Sequence, residues 1–291
     1  MLRNSNWMNM RKSFFSVATV LFFCLALEAC SVKNSVPQAG TIVRDTISGV
    51  PCCVYLPYCY TERQHESFPV LYLQHGMFGS EDDWSTQGNL LNIMDSLLQS
   101  NEVVEMVVIM PDNFLGSLPP AERQALIDAP NVTPDGEPID VKMGSAHWRK
   151  LTYEQERGYE MSGYWETHFQ EFMTEVETRY RVSSEPAHRS IAGLSMGGYH
   201  TQKVAQQLHG QFAYIGIFSA LIATPYSEQV YEQASLYWIG MGQEDFLYDQ
   251  LQEYRRWLEQ NHVEYTYYES TGGHVWPNWQ DYIYRFLTKI R

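Results

Sequence analysis

This sequence predicts an α/β fold: a single domain with a mostly parallel central sheet covered by helices on both faces. Three observations lead there. From residue 41 onward, short runs of β-branched and aromatic residues alternate with longer stretches of helical spacing. Several of the short runs, Val70-Leu71-Tyr72-Leu73, Val107-Val108-Ile109-Met110 and Tyr214-Ile215-Gly216-Ile217-Phe218, are apolar throughout, as strands buried on both faces must be. The chain of 291 residues is 44% hydrophobic, enough for one large core, and no break in composition favours two.

The elements follow in order. Thr41–Ser48 and Cys52–Leu56 read as strands joined at Gly49-Val50-Pro51, suited to an antiparallel hairpin at one edge. Val70–Gln74 is a central strand, Leu90–Leu98 a helix and Val103–Met110 a further strand. Residues 113–163 break the alternation, with Pro119, Pro120, Pro130, Pro134 and Pro138 and a short helical piece, Ala121–Asp128. Long excursions of this kind are functional or mobile, so this one reads as an insertion over the rim of the sheet, either a substrate-shaping lid or a surface loop. In the next helix, Tyr164–Tyr180, one stripe carries Phe169, Phe172, Met173, Val176 and Tyr180. Strands Ser190–Leu194, Tyr214–Phe218, Tyr237–Met241 and Tyr265–Glu269 then alternate with helices Gly197–Leu208, Phe246–Asn261 and Asn278–Ile290.

Residues 1–30 have the layout of an export signal. Arg3, Arg11 and Lys12 precede an apolar stretch, Phe14 to Leu27, that is short for a membrane span and lacks a following basic stop. Its end, Leu27-Glu28-Ala29-Cys30, resembles a bacterial lipobox, although Glu28 departs from the small or apolar residue of that pattern. The resemblance implies lipidation at Cys30 and a lipid-anchored cell-envelope protein; simple secretion to the periplasm or beyond and an uncleaved anchor are the other readings. Residues 31–40 are polar and suit a tether, leaving 41–291 as the folded domain. The formal charge of −14 repels phosphate backbones and anionic lipid, which argues against nucleic-acid partners and leaves the lipid anchor as the only membrane contact. Cys52 and Cys53 would point to opposite faces of a strand, which argues against a metal cluster. With Cys59 they read as buried small hydrophobes, the alternative being a disulfide from Cys52 or Cys53 to Cys59.

The chemistry centres on Gly193-Leu194-Ser195-Met196-Gly197. The three-residue match Gly-x-Ser-x-Gly is weak alone, but here a short strand runs directly into it and a helix follows, the strand-turn-helix setting of a nucleophile elbow. A serine needs a base to take its proton. Of the later histidines, His200 and His209 lie on the helix after the elbow and His262 at a polar helix end. His274 alone follows a strand directly, after Gly272-Gly273. The orienting acid should fall between, at a strand end: Asp245 is favoured over Glu244 and Asp249, with a helix N-cap as its plain alternative. The oxyanion would be met by the backbone N–H of Met196 and of Met77, in the loop His75-Gly76-Met77-Phe78-Gly79. His75 itself reads as structural. Trp84, Trp148, Trp276 and Trp279 cluster near the expected mouth, and Trp84 and Trp276 are candidate substrate contacts, with core packing as the alternative.

Seven segments in order resemble an esterase family of the α/β-hydrolase superfamily that includes feruloyl and acetylxylan esterases, enterochelin esterases, S-formylglutathione hydrolase and the mycolyltransferases. They are Val54-Tyr55-Leu56-Pro57, Leu73-Gln74-His75-Gly76, Asp83-Trp84, Met110-Pro111-Asp112, Ala192-Gly193-Leu194-Ser195-Met196-Gly197-Gly198, Gly242-Gln243-Glu244-Asp245-Phe246 and Gly272-Gly273-His274. The resemblance spans about residues 45–290. It implies an α/β-hydrolase fold, a Ser195–Asp245–His274 triad and no metal or organic cofactor. Gln74, Met77 and the 113–163 insertion depart from the pattern, which leaves the acyl group open. With the aromatics and the export signal, the expected substrate is an ester linked to a polysaccharide, of feruloyl or acetyl-xylan type. The alternatives are another exported acyl esterase, an acyltransferase, and a catalytically silent surface binding protein.

Overall fold

Eight strands form one sheet in the computed structural model, which describes residues 39–128 and 163–291, all within the unit Pro37–Arg291. In chain order the strands are β1 (Thr41–Ile47), β2 (Val50–Leu56), β3 (Val70–Gln74), β4 (Val107–Pro111), β5 (Arg189–Leu194), β6 (Tyr214–Phe218), β7 (Leu236–Gly242) and β8 (Thr266–Ser270). The helices are α1 (Asp83–Thr86), α2 (Leu90–Gln99), α3 (Asn113–Gly116), α4 (Pro120–Ile127), α5 (Tyr164–Arg179), α6 (Met196–Gln207), α7 (Tyr248–Gln260) and α8 (Trp276–Leu287). The strand order is β1-β2-β4-β3-β5-β6-β7-β8. β2 runs antiparallel to both β1 and β4, and every other pair is parallel. The expected edge hairpin is present, turning at Ser48 and Gly49, whose φ values of 50° and 73° are those of a tight two-residue turn.

Alternation along each strand divides the core in two. Val70 and Tyr72, Val107 and Ile109, and Ile215 and Ile217 face a cluster completed by Phe169, Phe172 and Val176 of α5, Val204 of α6 and Leu251 and Leu258 of α7. Leu71 and Leu73, Val108 and Met110, and Phe218 face the other, completed by Leu90, Met94 and Leu97 of α2 and Tyr282, Ile283 and Phe286 of α8. Each aromatic or large aliphatic side chain buried in this way contributes about 1.5–3 kcal/mol. The aromatic stripe of α5 is the densest example: Tyr72 meets Phe169 edge-on at 5.3 Å, and Trp165 meets Phe169 at 5.1 Å.

Cys52 and Cys53 fall on opposite faces as the pleat requires, and Cys52, Cys53 and Cys59 are all buried and free. Burial and the Asp82 carboxylate beside it push the Cys53 thiol up to about 12, so it carries no thiolate at neutral pH. β4 begins at Val107, not at Val103 as the sequence predicts. Val103 and Met106 are buried all the same, as loop residues packed beneath the sheet, and a loop turned inward is as apolar as a strand.

The described part of residues 113–163 begins as core. Asn113, Phe114, Leu115 and Gly116 of α3 are buried. The Arg123 guanidinium of α4 donates to the carbonyl oxygens of Leu115, Leu118 and Ser48, tying this stretch to the edge hairpin. Residues 129–162, Trp148 among them, lie outside the described residues, as do residues 1–38 with the export signal and Cys30.

Candidate active site

β5 ends at Leu194 and α6 begins at Met196, which leaves Ser195 alone on the turn between them. Its backbone sits at φ 52°, ψ −119°, a region that residues with a β-carbon avoid. The surrounding structure holds it there. The Ser195 N–H donates to the Phe218 carbonyl oxygen at 2.8 Å, pinning the turn to β6. A β-carbon at Gly193 would run into the backbone of Gly197, and one at Gly197 into the carbonyl oxygen of His75. Gly76 is close-packed as well: a β-carbon there would lie 2.6 Å from Leu194 Cδ1 and 3.3 Å from Ser195 Cβ. Ser195 is therefore half-buried at the carboxyl edge of the sheet, while Leu194 and Met196 on either side of it are buried.

Asp245 and His274 follow β7 and β8, two and three places along the sheet from β5, and their loops also leave the carboxyl edge. The two loops are stitched together. Gln243 N–H donates to the Ser270 carbonyl and Glu244 N–H to that of Gly272, each at 2.9 Å, and a β-carbon on Gly242 would strike the Gly272 oxygen. Gly272 itself takes φ 82°. From these loops Asp245 Oδ2 meets His274 Nδ1 at 2.9 Å. The Asp245 side chain is fully covered, whereas that of His274 keeps 19% of its surface open. Burial pushes the Asp245 carboxyl up, but the His274 hydrogen bond and the Leu247 N–H on Oδ1 outweigh it and hold the group below the ordinary aspartate range. Glu244 is exposed, and so is Asp249 on the first turn of α7. One Asp245 oxygen thus accepts the Leu247 N–H just ahead of α7, whose N-cap is Leu247 and not Asp245 as the alternative reading has it, and the other meets the imidazole.

Aromatic rings pack around His274. Trp279 lies edge-on to the imidazole at 4.9 Å and is buried, while Phe246 packs against it at a tilt of 50°, 4.6 Å away, and is 76% exposed. Trp276 stands perpendicular to both Trp279 and Trp84, at 5.1 and 5.4 Å. The two candidate contact tryptophans therefore part company. Trp276 is half-buried. Trp84 is only 1% exposed and donates its indole N–H to the Gln74 carbonyl, so it is a core residue beneath Trp276 and presents no face to a ligand. Phe246 did not stand out in the sequence because an apolar residue at a helix start reads as part of the helix's own stripe.

Gly76 and Met77 follow β3 beside the elbow. His75 is buried beneath this loop in the structural role expected of it: Nδ1 contacts the Gly76 carbonyl at 2.7 Å, and Nε2 accepts the Asn113 N–H at 3.1 Å. Met77 is half-exposed and follows Gly76, where an added β-carbon would come within 3.3 Å of Ser195 Cβ. Met196 is the first residue of α6, where N–H groups lack an acceptor within the helix. A second histidine–carboxylate pair, His200 with Glu166 at 2.8 Å, lies between α6 and α5. Burial pushes Glu166 up, but the His200 bond wins and its carboxyl lies below the usual range. His200 has no exposed surface, which separates it from His274. The cavity of about 760 Å³ between α5 and α6 is lined by Glu166, Gln170 and Lys203 and includes neither Ser195 nor His274.

Residues 48–114 and 121–290 match the family described as "Putative esterase". The chain belongs to this esterase family. Among curated relatives, an endo-1,4-beta-xylanase/feruloyl esterase of Xylanibacter ruminicola is 26% identical over 65% of this chain and 22% of its own length. Endo-1,4-beta-xylanase Y of Acetivibrio thermocellus is 34% identical over 28% of this chain and 8% of its own. The esterase-family chain thus spans less than a quarter of the length of these relatives. Among solved structures, a ferulic acid esterase superposes with a TM-score of 0.66 at 24% identity, covering 87% of this chain and 98% of the other. A ferulic acid esterase from Anaeromyces mucronatus in complex with ferulic acid gives 0.63 at 19%, covering 89% and 93%. The S-formylglutathione hydrolase of Staphylococcus aureus gives 0.58 at 18%, covering 87% and 96%. These likenesses establish the α/β-hydrolase type of fold for the described sheet and helices.

Proposed function

We propose that this esterase-family protein is a serine carboxylic ester hydrolase in which Ser195 is the nucleophile, His274 the general base and Asp245 the acid that orients it. The observation that carries the reading is the 2.9 Å Asp245–His274 bond, made by a covered carboxylate to a partly open imidazole at the same sheet edge as the strained Ser195. In the scheme, His274 Nε2 takes the Ser195 proton as Oγ adds to the ester carbonyl, and Asp245 fixes the tautomer and offsets the charge of the imidazolium. The N–H groups of Met77 and Met196 receive the oxyanion. The tetrahedral adduct collapses, the proton passes from His274 to the departing alkoxide, and an acyl-enzyme remains. Water activated by the same imidazole then releases the acid. Side chains and backbone handle every proton and charge in these steps, so the scheme calls for no cofactor.

The substrate class in this reading is a polysaccharide-linked ester, feruloyl or acetyl. It is supported by the relatives and structures named for feruloyl or ferulic acid esterase activity and by the aromatic layer around His274. Export with lipid attachment at Cys30 belongs to the same proposal, and fractionation should find a Cys30→Ala protein in the soluble pool while the wild type stays with membranes. The chemical test is a panel of p-nitrophenyl acetate, methyl ferulate, and acetylated and feruloylated xylan. Wild-type protein should hydrolyse at least one of them, and Ser195→Ala should lose about three orders of magnitude or more in kcat. Full activity in Ser195→Ala would end the serine mechanism.

A further inference from the structure

Phe246 is the most exposed of the large hydrophobic side chains among the described residues, and the next is Val275 at 45%. An isolated exposed apolar side chain means little. These two, however, immediately follow Asp245 and His274 in sequence, and the Phe246 ring packs against the imidazole at a tilt of 50°, 4.6 Å between centroids. The other aromatic neighbour of the imidazole, Trp279, is buried, so of the two rings that touch His274 it is Phe246 that faces solvent.

We infer that Phe246, together with the exposed Val275 that follows His274, is the platform for the alcohol part of the ester. The inference rests on the hydrolase reading above and follows from where protons go in it. The acyl group must lie over Ser195 and the N–H groups of Met77 and Met196. The leaving oxygen must lie against His274, because that imidazole gives it the proton as the carbon–oxygen bond breaks. Whatever is attached to that oxygen therefore extends across the outer side of the imidazole, over Phe246. An exposed aromatic face suits the C–H face of a pyranose or furanose ring, and it suits a methyl group poorly because so little area is covered. Phe246 thus reads the sugar, while acyl recognition falls to other residues.

A matched pair of esters sharing one acyl group isolates this: methyl ferulate, and ferulate on an arabinoxylan oligosaccharide. Phe246→Ala should lower kcat/KM about fivefold more on the oligosaccharide ester than on the methyl ester, mainly through KM, and Phe246→Tyr should restore it. Because the side chain is exposed, the variant should melt with the wild type. Equal losses on both esters would mean that the ring only holds His274 in place, and unchanged rates on both would mean that it does neither; each overturns the inference and leaves the hydrolase reading intact. Wild-type protein inactive on both esters and on p-nitrophenyl acetate would remove the hydrolase reading, and this inference with it.

Discussion

Asp245 divides its carboxylate between the Leu247 N–H and the His274 ring, and the consequences of losing the charge are separable. An amide in its place keeps the size but can offer Nδ1 a donor where an acceptor is needed, which favours the wrong tautomer. Asp245→Asn should therefore cut kcat by about 10³- to 10⁴-fold, while Glu244→Gln stays near wild type, as measured on p-nitrophenyl acetate. Stability should respond as well. The folded carboxyl titrates below its unfolded counterpart, so its contribution is present above the ordinary aspartate value of about 4 and is lost as pH falls through the folded value. Acid unfolding of Asp245→Asn should accordingly show a shallower dependence on pH in that range. The placement of Ser195 and His274 on loops that leave strand ends is legible in the sequence because glycines mark those loops. The choice of Asp245 over Glu244 was not settled by spacing. What separates the two neighbours is the turn in which Asp245 N–H donates to the Gly242 carbonyl, leaving Glu244 in solvent and its neighbour covered.

At the level of elements, the strand that carries the His274 loop is a sheet edge. Arg255 of α7 lies over the Tyr267 ring at 3.7 Å, and Arg285 of α8 over Tyr268 at 3.9 Å. Both faces of β8 are thus topped by a cation, and each cation–π contact ties a covering helix to the edge strand. The aromatic stripe of α5 carries much of one core. Phe169→Ala should cost about 3–5 kcal/mol, read as a lower denaturation midpoint, because Tyr72, Trp165 and Phe212 cannot all close on the space. Periodicity found this helix and all eight strands. It missed α1 and α3, four residues each, which are too short to show a period. It also ran β4 back to Val103, because burial, which it does detect, is not the same property as pairing.

On the scale of the whole molecule, the sheet order explains why residues far apart in sequence converge. β5, β7 and β8 bring Ser195, Asp245 and His274 to one edge, and β3 brings Gly76 and Met77 alongside. Strand alternation made the fold class readable, but the order β4-β3-β5 depends on crossovers that no local pattern encodes. A final consequence belongs to the backbone of Ser195. A residue with a β-carbon held at φ 52°, ψ −119° opposes folding by about 1–3 kcal/mol, and alanine inherits that cost in full. Glycine does not. Ser195→Gly should melt above Ser195→Ala in scanning calorimetry, and above the wild type if strain relief exceeds the extra chain entropy of glycine. The protein would then be tougher for having given up the proposed nucleophile, as expected where a demand for activity and a demand for durability pull on the same residue.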